Sequence, residues 1–202
     1  MELRVEVDGG RNLSHKITVV IPSIPVRESL LKRALKSISS QTYPAYDVSI
    51  AIDHNREGAA KTRNRALYRA ETEWVAFLDD DDEMLPGHLE GLVGRQLETA
   101  ADVVFPWFNT EPPGNDPFPM FFGREYDPLE PHMFPIATLV RRKLAVEVGG
   151  FPIEDAVSQT CAGEDWTFWL KMRDAGAKFA HLPERTWTWH HHGLNTSGLP
   201  VW

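Results

Sequence analysis

At 202 residues and 22.9 kDa, the chain is long enough for one domain with a substantial core. Hydrophobic residues make up 42% and charged residues 25%, an ordinary globular composition, and the sequence has no apolar run of about 18 residues to predict a membrane-spanning helix. The net charge of −8 disfavours sequence-independent binding to nucleic acid, which relies on basic surface. A nucleotide is still admissible, because a metal ion can supply local positive charge. The single cysteine, Cys161, cannot form an internal disulfide, which fits a reducing cytoplasm.

The N-terminus, Met1 to Val7, alternates like an edge strand and lacks the apolar core of a signal peptide; a turn is expected at Asp8-Gly9-Gly10. Ile17 to Ile21 reads as a buried strand broken by Pro22. From Glu28 to about Ser40, Leu30, Leu31, Ala34, Leu35 and Ile38 recur at helical spacing, and Tyr43-Pro44 ends the segment. Val48 to Ile52 is a second strand closed by Asp53, Gly58 to Glu71 a second helix, and Trp74 to Leu78 a third strand. Alternating strands and helices imply an α/β fold with a parallel sheet and right-handed crossovers.

Pro86 is expected to open a helix, and Asp102 to Phe105 a fourth strand. Eight of the 15 prolines then fall between Pro106 and Pro135, so Asn109 to Asp127 reads as too broken for regular structure. Order returns over 136–150, ending at Gly149-Gly150-Phe151; Glu164 to Gly176 is helical, and Phe179 to Trp189 contains a last strand.

Three clusters at element ends have the chemistry of a site. Asp79-Asp80-Asp81-Asp82 ends the third strand, where open α/β sheets bind ligands. Acids so close need a cation or strong donors, and hard oxygen ligands suit Mg2+ or Mn2+ shared with a substrate's phosphates. A solvated acidic turn leading into a helix is the alternative. Glu164-Asp165 suits base catalysis or favourable placement at a helix N-terminus. His190-His191-His192 suits metal ligation or is a surface run.

Order and spacing bring these pieces together. Ile21-Pro22-Ser23, the segment Ser39 to Pro44, Asp53, Arg63-Asn64, Phe77 to Asp82 with Leu85-Pro86, Gly149-Gly150-Phe151, Gly163-Glu164-Asp165 and Trp189 to Ser197 together resemble family 2 glycosyltransferases. The resemblance runs from about residue 17 to 198. It implies one GT-A domain, Rossmann-like, with a mainly parallel sheet flanked by helices. Its nucleotide-binding part would span about 17–82 and its acceptor side about 83–202, with 1–16 packed on as an extension.

Carried over by position, the resemblance makes Asp79-Asp80-Asp81 the D-x-D element. Asp81 would coordinate Mn2+ or Mg2+ on the donor diphosphate, with Asp79 or Asp80 facing the ribose or the metal's surroundings. Asp82, the extra acid, would be an N-cap. Pro22, Ser23 and Asp53 would line the nucleotide pocket, and Arg63 would lie near the nucleotide or diphosphate. Asp165 would be the base that takes the acceptor hydroxyl's proton, with Glu164 beside it. His192 best matches the C-terminal metal ligand, with His190 second. The implied activity is metal-dependent, inverting transfer from a nucleotide-diphosphate sugar, a UDP-sugar being favoured, to an acceptor hydroxyl. One base suffices for a single displacement.

The sequence departs from the family at Asp53-His54, where a second acid usually follows the second strand, and at Ile24-Pro25-Val26-Arg27 after the first. A nucleotidyltransferase on a similar sheet is an alternative, although no G-x-x-x-x-G-K-[ST] loop occurs. A catalytically inactive nucleotide- or carbohydrate-binding module is another. Trp166 and Trp169 read as sugar-stacking or core, and Trp187 and Trp189 as core or pocket wall. Trp107 and Phe121-Phe122 read as walls of an acceptor groove within the Pro-rich loop. His15, His88, His132 and His181 read as surface or satisfied residues, and Cys161 has no catalytic signature.

Overall fold

In the computed structural model, residues 4–6, 14–153 and 163–191 are described. The strands are β1 (Arg4–Glu6), β2 (Ile17–Ser23), β3 (Asp47–Ile52), β4 (Trp74–Phe77), β5 (Glu83–Met84), β6 (Val103–Glu111), β7 (Leu139–Arg141) and β8 (Phe179–His190). They form one sheet in the order β1-β3-β2-β4-β7-β6-β8-β5. The helices are α1 (Glu28–Ser39), α2 (Ala59–Arg69), α3 (His88–Thr99), α4 (Arg142–Glu147) and α5 (Glu164–Asp174). The expected parallel arrangement holds through β3-β2-β4 and recurs at β6-β8. Strands β1, β7 and β5 join antiparallel, β1 on β3 as the edge strand the sequence predicts.

Both faces of the sheet are covered, which is why β2 and β4 are buried at every position rather than alternating with water. The period of two sorts their side chains between two cores. Val20, Val75 and Phe77 face one core, filled by Leu67 of α2, Ala145 of α4 and Phe168, Trp169 and Met172 of α5. Val19, Ile21, Trp74 and Ala76 face the other, filled by Leu31, Ala34 and Ile38 of α1 and Leu89, Leu92 and Val93 of α3.

The Pro-rich stretch departs from expectation. Asn109, Thr110 and Glu111 belong to β6, which runs straight through Pro106, and a 3-10 turn forms at Pro119–Phe121. Proline has no N–H for a ladder, and the register of β6 on β8 shifts between Phe105 and Trp107 to accommodate it. Trp107 is therefore a strand residue, fully buried, with its indole N–H given to Asp116 at 2.8 Å. It lines no groove.

Among the described residues, β1 pairs with Asp47, Val48 and Ser49 of β3. Further along, Arg69 donates to the Ile50 carbonyl at 2.8 Å and Arg65 to the Ile52 carbonyl at 3.0 Å.

Candidate active site

Strand β4 ends at Phe77 opposite Val20 while β2 runs on to Ser23, and the chain leaves β4 in a tight turn closed by the Asp82 amide on the Asp79 carbonyl at 3.2 Å. Three of the four aspartates are buried there, and Asp79 is partly exposed. Each carboxylate has a partner, and Asp80 and Asp81 share one. Asp79 pairs with Arg63 at 2.7 Å. Asp80 accepts from Ser23 Oγ at 2.6 Å and from Arg27 at 3.0 Å. Asp81 lies 2.9 Å from the same Arg27 nitrogen, while Arg33 of α1 donates to the Asp81 carbonyl. Asp82 accepts the His190 backbone N–H at 2.9 Å.

Burial decides the titration of two of these acids, Asp80 and Asp82. It pushes Asp80 up, against the pull of Ser23 and Arg27. Asp82 is pushed well above the usual carboxylate range, first by burial and then by the like charges of Asp81 and Asp79. Asp82 caps no helix: α3 begins six residues later, after Gly87, without a side-chain cap. A carboxyl tied to the β8 backbone is pinned too far from α3 to serve it.

Helix α2 presents Arg63 and Asn64 to this strand end. Arg63 is buried against the Phe151 ring, 4.8 Å from its centroid, and its second nitrogen reaches Glu164 at 3.1 Å. Desolvation opposes its charge, but Asp79 and Glu164 outweigh it and raise its pKa. Asn64 donates to the Phe151 carbonyl and accepts the Phe151 N–H, both at 2.8 Å.

Helix α5 opens at Gly163, placing Glu164 and Asp165 in its first turn, where the exposed backbone amides favour negative charge. Asp165 Oδ1 accepts the Trp166 amide at 2.7 Å. Asp165 is partly buried, and this desolvation together with the Glu164 charge pushes its pKa up to about 6, against the Trp166 amide and Arg63.

The end of β8 returns the histidine motif to the aspartates. His190 Nε2 lies 2.8 Å from Glu83 Oε2, and the His191 amide bonds the Glu111 carbonyl at 2.7 Å. His192 and Cys161 lie outside the described residues. Trp166 and Trp189 are partly buried against the first core, whereas Trp169 and Trp187 are buried in it. Pro22 is a β2 residue. Both oxygens of Asp53 are taken by its own loop, from the Asn55 amide at 3.0 Å and the Gly58 amide at 2.9 Å. The Asp53 amide bonds the Ser23 carbonyl at 2.8 Å, so the two sit side by side, and His54 is exposed.

His181 meets the expectation, buried and satisfied by the Phe105 carbonyl and the Gly123 amide, whereas His88 and His132 depart from it. His88 is buried with only Nδ1 bonded, to Thr186. His132 is buried between the rings of Phe105, Phe121 and Tyr126, with neither nitrogen hydrogen-bonded. Aromatic contact, not hydrogen bonding, holds it there. His15 is partly buried, stacked on Trp74 and bonded through Nε2 to Gln96.

Arg27 and Arg33 are the site residues that spacing did not single out. The signal was indirect: a buried acidic run demands cations, and Arg27 stands just before α1 and Arg33 within it.

Asp79 and Asp81 offer the hard oxygens that Mg2+ and Mn2+ prefer. No three His, Cys, Asp or Glu side chains gather as a metal cage among the described residues. Magnesium-type ions are commonly held by one or two carboxylates plus substrate phosphates, so this donor set fits a metal shared with a ligand.

Residues 50–145 match the model of glycosyl transferase family 2. Over 150 residues the chain is 28% identical to the pre-mycofactocin glycosyltransferase of Mycobacterium tuberculosis, covering 68% of this chain and 31% of that protein. Over 114 residues it is 28% identical to the GalNAc(5)-diNAcBac-PP-undecaprenol beta-1,3-glucosyltransferase of Campylobacter jejuni, covering 44% of this chain and 37% of the relative. The chain thus spans about a third of the length of these curated relatives. In fold it resembles S. aureus TarS 1–349 in complex with UDP-GlcNAc, with a TM-score of 0.71 at 20% identity, covering 88% of this chain and 59% of that one. The mannosyltransferase PcManGT from Pyrobaculum calidifontis, in complex with GDP-Man and Mn2+, gives 0.68 at 17% identity, covering 93% and 59%. Over residues 50–145 the chain is thus similar to glycosyl transferase family 2, and its fold is the GT-A fold of these solved glycosyltransferases.

Proposed function

We propose that the protein transfers a sugar from a nucleoside-diphosphate donor to an acceptor hydroxyl by a single displacement with inversion. The observation that carries this reading is the meeting, through Arg63, of a strand-end acid (Asp79) and a helix-start acid (Glu164) whose neighbour Asp165 has a pKa near 6. A carboxylate titrating close to neutral pH is well matched to take a proton from a hydroxyl. In the reaction, the acceptor O–H proton passes to Asp165 as the oxygen bonds the anomeric carbon. The bond from that carbon to the diphosphate oxygen breaks, and its electron pair leaves with the nucleoside diphosphate.

Pro22, Ser23 and Asp53 are assigned to the nucleotide pocket, Asp79 and Asp80 to the ribose and diphosphate end, and Arg63 to the same end through Asp79. Trp166, Glu164 and His190 fall on the acceptor side. A Mn2+ or Mg2+ ion held by Asp81 and His192 would neutralise the charge growing on the leaving diphosphate. The named relatives that support this donor class were solved with UDP-GlcNAc and with GDP-Man and Mn2+; a UDP-sugar is the donor proposed here. The nucleotide-binding part is assigned to about 17–82 and the acceptor side to about 83–202. No helix among the described residues is long and apolar enough to cross a membrane, and with one cysteine we place the chain in the cytoplasm.

Asp165→Asn tests the reading. Transfer is expected to be abolished while UDP with Mn2+ still raises the melting temperature as in the unaltered protein. Retained transfer would remove Asp165 from the mechanism, and indifference of the protein to UDP, GDP, CDP and dTDP with Mn2+ would favour an inactive binding module.

A further inference from the structure

Arg63 bonds two acids that are 85 positions apart in the chain yet adjacent in space: Asp79 at 2.7 Å and Glu164 at 3.1 Å. Arg63 is 3% exposed, and Phe151 covers one face of its guanidinium. With one nitrogen given to each acid and the plane held on an aromatic ring, it has little freedom to turn outward to a ligand. The neighbouring Asn64 clamps Phe151 through two hydrogen bonds, so the ring and the guanidinium are fixed by the same helical turn of α2.

We propose that Arg63 is a positioning residue which joins the donor-side acid to the base: it holds Glu164 against Asp79 and so fixes both the place and the electrostatic surroundings of Asp165. This rests on the reading of Asp165 as the base. It differs from a direct nucleotide contact, because Arg63 acts through the two acids.

The charged groups facing Asp165 among the described residues come from three elements. Glu164 lies beside it on α5, Arg63 comes from α2, and Asp79 from the end of β4. Glu164 and Asp79 disfavour the carboxylate, whereas Arg63 favours it. The two members of the 3.1 Å pair therefore push the base in opposite directions, and this gives a signature that mere structural support would not.

The test is the pH dependence of kcat, with UDP affinity measured in parallel by calorimetry. Activity should rise with pH as Asp165 loses its proton. Arg63→Gln is expected to move that acid limb up by about one unit and Glu164→Gln to move it down by about one unit. The double variant should return close to the unaltered position, and Arg63→Lys should stay near it. UDP affinity should change less than about fivefold in Glu164→Gln.

Limbs that do not move, or that move the same way in both single variants, would overturn the proposal. So would a large loss of UDP affinity in Arg63→Gln with an unmoved limb, which would make Arg63 a nucleotide contact. Should Arg63→Gln fail to fold, Glu164→Gln and Arg63→Lys still decide, because the downward shift of the first needs no change at Arg63. Failure of the base reading is separate: Asp165→Asn would then retain transfer.

Discussion

A Cβ at Gly150 would stand 2.3 Å from Asn64 Oδ1 and 2.9 Å from the Tyr68 hydroxyl. The backbone there has φ of +64°, a conformation L side chains rarely adopt. Gly150 thus lets α2 lie against the turn that delivers Phe151 to Arg63. Gly150→Ala is expected to destabilise the fold by about 3 kcal/mol, from positive φ and steric overlap together. Asn64→Ala, which leaves the buried Phe151 N–H and carbonyl without their partner, should cost about 2–4 kcal/mol. Urea denaturation checks both.

Arg27 is the shared counter-charge of Asp80 and Asp81, and all three side chains are almost fully buried. Removing one partner strands charge in a medium that solvates it poorly. Arg27→Gln should therefore lower stability by about 3 kcal/mol at neutral pH. The loss should shrink at acid pH, where Asp80, already pushed up by burial, gains its proton sooner than an ordinary aspartate. Melting temperatures of the two proteins across pH 4–8 test this.

His88 and His132 are held neutral by burial, with pKa values pushed down from 6.5 to about 3 and about 4. Below 6.5 the unfolded chain binds protons that the folded chain refuses, so stability falls as pH drops from 6.5 towards those values. The folded pKa lies below the unfolded one, so this stability is complete above 6.5 and lost on acidification. His132→Phe should flatten part of that slope, since a phenyl ring suits the contacts with Phe105, Phe121 and Tyr126 and carries no orphaned nitrogen. An unchanged slope would remove His132 from the account.

Gly163 matters for a different reason from Gly150. Its backbone is ordinary, but a Cβ would lie 2.7 Å from Asp165 Oδ1. Gly163→Ala should displace the base rather than unfold the helix. The expectation is a fall in kcat of about tenfold or more with UDP affinity unchanged. Equal loss of both would mean that the loop, not the base, had moved.

The apolar runs of β2, β3 and β4 and the periodic faces of α1 and α2 were legible in the sequence because two covered sheet faces impose them. Strands β5 and β7 were not, for they are two and three residues long and take their form from pairing with β8, β4 and β6. The continuation of β6 past Pro106 was hidden because local rules end a strand there, whereas the register shift against β8 permits it. At the site, the aspartates, Glu164-Asp165 and the histidine motif stood out by type and order. Asp82 was misjudged because a backbone amide 108 positions away claims it. Arg27 passed as a loop residue for the same reason: its partners are distant in sequence and close in space.

The arginines on the outer rim of β3 have a meaning for the protein in solution. An uncovered strand rim is a template on which another chain can add itself. Arg69 donates to the Ile50 carbonyl and Arg65, itself paired with Glu57 at 2.6 Å, to the Ile52 carbonyl, so both acceptors already hold a side-chain donor. One helix thus serves two places at once: from α2, Arg63 reaches the acids at the end of β4 and the start of α5, while Arg65 and Arg69 tie down carbonyls of β3.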